Sequence, residues 1–193
     1  MKRICVFCGS SKGLRPIYLE AAQNLGRTFA ARNIDLVYGG GCVGLMGAMA
    51  DATMEQGGHV IGVIPESLVA KEVAHKGLPD LRIVKSMHER KGLMAELSDA
   101  FIALPGGFGT YKEFCEVLTW GQLGLHKKPC RLLDVDGFYD PLLALFDRAV
   151  SEGFVRPVHR GLVLVESDLE KLLSRLETFQ PPAVAKWIER DET

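Results

Sequence analysis

Short runs of consecutive apolar residues alternate along this chain with longer stretches in which apolar positions recur every three or four residues. The runs are Ile4 to Cys8, Leu36 to Tyr38, Val60 to Ile64, Leu81 to Val84, Ala100 to Leu104, Arg131 to Val135 and Leu162 to Val165. Consecutive rather than alternating apolarity predicts strands buried on both faces. The longer stretches predict helices near 16–32, 43–57, 87–98, 110–124, 140–152 and 167–178. In the first of these, Ile17, Ala21, Ala22, Leu25 and Phe29 make one stripe at helical spacing, with Pro16 near its start and Asn33 beyond its end. Strand and helix in regular succession imply an α/β fold, a doubly wound, mostly parallel sheet flanked by helices on both faces. One domain is expected over residues 1–180. Gln180-Pro181-Pro182 closes it, and residues 181–193, with Trp187 and Ile188, are expected to form a tail helix packing on it or on a partner subunit.

Composition narrows the partners. The chain has 193 residues, enough for a full hydrophobic core, and a formal net charge of -1. It therefore carries no basic field for gripping a nucleic-acid backbone. Five cysteines are an odd number without framework spacing, which points to a reducing compartment. Met1-Lys2-Arg3-Ile4 runs straight into the first apolar segment, and no stretch approaches the ~20 apolar residues of a membrane span. A cytoplasmic protein, with neither nucleic acid nor membrane as partner, is the expectation.

The glycines add a site. In doubly wound folds ligands bind beyond the carboxyl ends of the strands, where loops enter helices. On that edge lie Cys8-Gly9-Ser10-Ser11, Gly39-Gly40-Gly41, Ile64-Pro65-Glu66, Ser86-Met87-His88-Glu89-Arg90-Lys91 and Pro105-Gly106-Gly107-Phe108-Gly109-Thr110. The opposite edge shows nothing comparable. Gly106, Gly107 and Gly109 let the backbone approach a ligand and adopt positive φ, and free amides at the next helix N-terminus suit phosphate. A turn serving only tight packing is the competing reading. No Gly-Lys-Thr or Gly-Lys-Ser follows, so this is not a Walker loop. Gly39-x-Gly41-x-x-Gly44 fits the dinucleotide fingerprint but follows the second strand, and no nicotinamide site is recognisable. It reads as a second phosphate- or ribose-facing loop, or as a packing turn.

Two charged residues stand out. Thr110-x-x-Glu113 and Ser86-x-x-Glu89 are both capping-box patterns, but the first opens from the phosphate loop and puts a carboxylate beside it. Arg90 lies near the start of its helix, where the dipole disfavours a cation, and continues the inward stripe of Leu93 and Met94. It needs an anionic or carbonyl partner, from the protein or from a ligand. Cys5-x-x-Cys8 lies along a strand with its side chains on opposite faces, so no metal is expected there. His59, His75, His126 and His159 read as surface or packing residues, and His88 as a ligand contact or a helix-start residue.

At these residues the sequence resembles the LONELY GUY family, the cytokinin riboside 5′-monophosphate phosphoribohydrolases, whose members have often been labelled lysine decarboxylases. The motif Pro-Gly-Gly-x-Gly-Thr-x-x-Glu spans Pro105 to Glu113, and Met-His-x-Arg-Lys spans Met87 to Lys91. The resemblance extends from Cys8-Gly-Ser-Ser through the Gly39 loop to Trp120-x-Gln122-Leu123-Gly124 and Asp136-Gly137-Phe138-Tyr139, loosening after about Pro157. It implies a Rossmann-like fold, a homodimer, catalytic roles for Arg90 and Glu113, and nucleotide contacts at Glu72, Lys91, Gly107, Phe108, Gly109, Thr110 and Thr119. Ser10, Gly41 and Met87 are further candidate contacts on the same edge. Lys112 departs from the family, many of whose members have a second acidic residue there.

The activity so implied is hydrolysis of the N-glycosidic bond of a purine riboside 5′-monophosphate or AMP, releasing free base and ribose 5-phosphate without a cofactor. Glu113 would stabilise the oxocarbenium-like sugar and activate water, while Arg90 would orient the nucleotide and the glycine loop would hold its phosphate. A decarboxylase would need pyridoxal phosphate on a lysine, and Lys91 alone lies near the loop. The alternative is a non-catalytic nucleotide or molybdenum-cofactor carrier, since carriers of that kind share a related glycine loop.

Overall fold

The structure, a computed structural model, describes residues 1–69 and 74–181. The strands are β1 (Arg3–Phe7), β2 (Asp35–Tyr38), β3 (Val60–Pro65), β4 (Asp80–Val84), β5 (Ala100–Ala103), β6 (Cys130–Leu133) and β7 (Val163–Glu166). The helices are α1 (Pro16–Ala31), α2 (Gly44–Glu55), α3 (Glu66–Val69), α4 (Met87–Leu97), α5 (Phe108–Gln122), α6 (Asp140–Ser151), α7 (Pro157–Arg160) and α8 (Leu169–Glu177). All seven strands run parallel in the order β4-β3-β2-β1-β5-β6-β7. The chain winds outward from β1 to β4, then returns to the other side of β1, so the winding reverses between β1 and β5. That reversal opens a crevice at the carboxyl ends of these two strands. The expected doubly wound α/β architecture is the one observed.

Consecutive apolarity in the strands does what the pattern requires. Ile4 and Val6 point to one face of the sheet and Cys5 and Phe7 to the other, all buried. Cys5 and Cys8 fall in opposite cores, as period-two geometry demands. One face is covered by α1, α2 and α8, contributing Leu25, Phe29, Met49 and Leu172. The other carries α4, α5 and α6, contributing Met94, Phe114 and Val117.

Two four-residue helices, α3 and α7, have no counterpart in the sequence reading, being too short to show a periodicity. The larger correction concerns α5. It starts at Phe108, with Gly107 as its N-cap and no side-chain cap, so Thr110-x-x-Glu113 is not a capping box. Ser86 does cap its helix, Oγ accepting from Glu89 N at 3.1 Å, while Glu89 Oε2 accepts from Lys85 N at 2.8 Å, one residue before the cap. Apart from Pro181, the tail expected over 181–193 lies outside the described residues.

Candidate active site

The crevice is a cavity of about 400 Å³, lined by Cys8, Gly9, Ser10, Gly39, Gly41, Val43, Met46, Ile64, Leu68, Arg90, Gly107, Phe108, Gly109, Thr110 and Glu113. Three glycine-bearing loops, after β1, β2 and β5, meet there with the end of β3 and the first turns of α4 and α5. Of the residues singled out from sequence, Ser10, Gly41, Arg90, Gly107, Phe108, Gly109, Thr110 and Glu113 share this lining. Glu72 lies outside the described residues. Thr119 is exposed two turns further along α5, its hydroxyl spent on Cys115 O at 2.7 Å, and does not line the cavity. Met87 stands behind Arg90, its sulfur 3.8 Å from Nη1. Lys91 pairs with Glu116 at 2.6 Å rather than facing the cavity.

The loop from Pro105 to Thr110 is built differently from the sequence expectation. Neither Gly106, Gly107 nor Gly109 has positive φ. Gly106 is needed for close packing, since a Cβ there would sit 2.1 Å from Thr110 Oγ1 and 2.9 Å from Gly9 N. At Gly107 and Gly109 a Cβ would meet nothing within 4 Å, so both present bare backbone to the opening. The first amides of α5 have no intrahelical acceptor and no capping side chain, which leaves them for an anion. Behind the loop, Tyr139 donates its hydroxyl to Leu104 O at 2.6 Å, and Asp134 accepts from the backbone amides of Gly137 and Tyr139. The strand end that launches the loop is thereby fixed.

Arg90 is buried, and it finds both kinds of partner that its position demands. Its Nε donates to Val63 O at 3.1 Å and Nη2 to Gly39 O at 3.2 Å. Its Nη1 lies 3.6 Å from Glu113 Oε1. Gly39 exists for this side chain: a Cβ there would fall 1.8 Å from Arg90 Nη2. The sequence drew attention to the Gly39 loop but carried no signal for this contact, because the two residues are 51 positions apart. Burial pushes the Glu113 carboxyl above the ordinary carboxylate range; Arg90 opposes that shift, Glu116 adds to it, and Lys91 and Lys112 oppose it more weakly. One turn along, Lys91 and Glu116 repeat the cation–anion pairing between the same two helices. Burial also raises the Cys8 thiol, which stays protonated and is no nucleophile at neutral pH.

The sequence reading placed Ile64 on this edge but missed Val43, Met46 and Leu68, which form an apolar wall with it. These residues come from two stretches, 43–46 at the start of α2 and 64–68 across the junction of β3 and α3, that only the fold brings together. Among the described residues no group of histidine, cysteine and acidic side chains could hold a metal ion. No helix among them is long and apolar enough to cross a membrane.

The chain can be set beside known proteins. The sequence profile of the family described as "Possible lysine decarboxylase" matches residues 46–176. A probable cytokinin riboside 5′-monophosphate phosphoribohydrolase of Oryza sativa subsp. japonica is 54% identical over 180 residues, covering 93% of this chain and 79% of the relative. A cytokinin riboside 5′-monophosphate phosphoribohydrolase of Arabidopsis thaliana is 51% identical, covering 93% and 83%. Among solved structures, the molybdenum cofactor binding protein of Rippkaea orientalis superposes with a TM-score of 0.70 at 22% identity, over 92% of this chain and 97% of that one. At that identity the likeness establishes the fold alone.

Proposed function

Because the chain belongs to the family described as possible lysine decarboxylases, the one that includes the LONELY GUY phosphoribohydrolases, we propose that it hydrolyses the N-glycosidic bond of purine riboside 5′-monophosphates. The observation that carries this reading is the buried Arg90–Glu113 pair, 3.6 Å apart, on the wall of a cavity that the open amide turn of α5 also lines. The amides from Gly107 to Thr110, with Ser10 beside them, bind the 5′-phosphate. The ribose then lies towards Glu113. Cleavage leaves the C1′–N9 electron pair on the base, which takes a proton from solvent to leave as the neutral purine, and the sugar carbon gains oxocarbenium character. The Glu113 carboxylate stabilises that charge and takes a proton from the attacking water, whose oxygen bonds to C1′. Its raised pKa makes it a stronger base than an exposed carboxylate. Arg90, held by two carbonyls as well as by Glu113, orients the nucleotide and stabilises negative charge on it.

Pyridoxal phosphate, which a lysine decarboxylase would use, finds no anchoring lysine among the described residues of this cavity. Lys91 is engaged with Glu116. Phosphate anchoring leaves the base facing the apolar wall of Val43, Met46 and Leu68, which suits adenine with or without an N6 substituent. Binding of nucleotide or molybdenum cofactor without turnover is the rival reading. Incubation with a panel of nucleosides, monophosphates and triphosphates, followed by chromatography for free base, decides between them. Base release confined to monophosphates is expected. Tight pterin binding with no release from any nucleotide would hand the case to the carrier.

The protein acts in the cytoplasm and as a homodimer in this reading. The layer bearing Arg90 and Glu113 supports the second claim, because Leu145 of α6 and Phe154 just beyond that helix are 62% and 84% exposed. A sedimentation mass near that of a single 21.2 kDa chain would refute it.

A further inference from the structure

Outside the cavity, a closely held side chain is His75, which the sequence reading set aside. Ala74 forms an isolated antiparallel bridge with Gly41, and the next amide, His75 N, donates to Gly40 O at 2.8 Å. The imidazole is only 12% exposed. Gly77 N donates to its Nδ1 at 3.2 Å, so Nε2 carries the proton and donates to Asp51 Oδ1 at 2.8 Å. Asp51 belongs to α2, the helix that the Gly39–Gly41 loop leads into. Leu78 then enters the core over Gly62, where a Cβ would lie 2.6 Å from Leu78 Cδ1. The segment is fastened by backbone, side chain and apolar contact within five residues.

What it fastens is a loop with no side chains of its own. Three successive glycines have wide conformational freedom, and Gly40 sits at φ 71°. On the cavity side this loop supplies the Gly39 carbonyl that orients Arg90. On the far side it is held by Ala74 and His75. We propose that His75, clasped to Asp51, is a positioning residue that immobilises the Gly39–Gly41 loop and so keeps the Arg90 guanidinium aligned with Glu113. The role assigned to Arg90 rests on the hydrolase reading above, whereas the clasp itself does not.

The test therefore has two arms on the full-length protein. In His75→Ala, amide hydrogen exchange across residues 39–44 should accelerate relative to wild type, whatever the enzyme does. Unchanged exchange overturns the clasp. For base release from the best monophosphate, kcat of His75→Ala should fall roughly tenfold while KM moves less than about twofold. The acid limb of kcat should shift to higher pH, because a loosened Arg90 no longer favours the ionised Glu113. His75→Gln, which keeps a donor towards Asp51, should recover most of kcat and the original limb. Wild-type kcat and limb in His75→Ala overturn the proposal, as does a loss that leaves the limb in place and is not rescued by glutamine. Should His75→Ala fail to fold, Asp51→Ala carries the same expectations. A wild-type protein that releases no base from any monophosphate defeats the hydrolase reading, and the exchange arm still judges the clasp.

Discussion

The two helix layers that sandwich the sheet are built on different principles. The α1, α2 and α8 layer is closed by close apolar contact: α8 buries Leu169, Leu172, Leu173 and Leu176, and α2 buries six of its residues. Its helices approach so tightly that a Cβ on Gly26 of α1 would lie 2.4 Å from Met49 O of α2. The α4, α5 and α6 layer is looser and charged. The buried residues of α4 are Arg90 and Met94, and none of α6 is fully buried. Two ion pairs stitch α4 to α5 at the place where the other layer would use leucine. Buried ion pairs rarely add net stability over apolar packing. The contrast teaches that one layer holds the fold together and the other has surrendered packing for chemistry.

Substitutions can separate the two roles. Glu113→Gln should lower kcat by about 10³-fold, about 4 kcal/mol of barrier. It should leave the melting temperature little changed and nucleotide still bound. Turnover close to wild type in that variant would take Glu113 out of the mechanism. Gly26→Ala should do the reverse. Crowding of Met49 O by the new Cβ is expected to cost about 2 kcal/mol, a drop of roughly 4–8 °C in Tm, with kcat per folded molecule unaltered. A kcat that fell with Tm would show that the layers are not independent.

The smallest effect probes the exposed residue that departs from the family. Lys112 lowers the Glu113 pKa, so Lys112→Glu removes a stabilising cation, adds an anion and raises it. Since the ionised form does the work, the acid limb of kcat should move to higher pH, by roughly a few tenths of a unit because solvent screens the charge. An acid limb that stays in place while an alkaline limb moves to higher pH would mean that Glu113 acts as a proton donor.

How far the sequence anticipated this division depends on the range of the signal. Strand runs such as Ala100 to Leu104 were legible because burial on both faces writes itself into consecutive residues. The inward direction of Arg90 was legible from its spacing to Leu93 and Met94. Its partners were not: Gly39 O and Val63 O are backbone atoms of distant strand ends, and no local pattern encodes them. The capping-box pattern at Thr110 misled because the helix begins earlier, and Thr110 is buried beneath Gly106 instead of capping anything. His75 looked like a scattered histidine because its partner, Asp51, lies 24 residues away on another element.

One consequence follows from the seat of the guanidinium at Gly39. The volume that any other amino acid would fill at position 39 is already taken by the tip of Arg90. The two positions are therefore a single unit of inheritance. A methyl group at 39 would evict the cation while leaving every ionisable residue of the site in the sequence, so an inactive descendant of this protein could keep a flawless signature from Pro105 to Glu113 and betray itself only by one missing glycine.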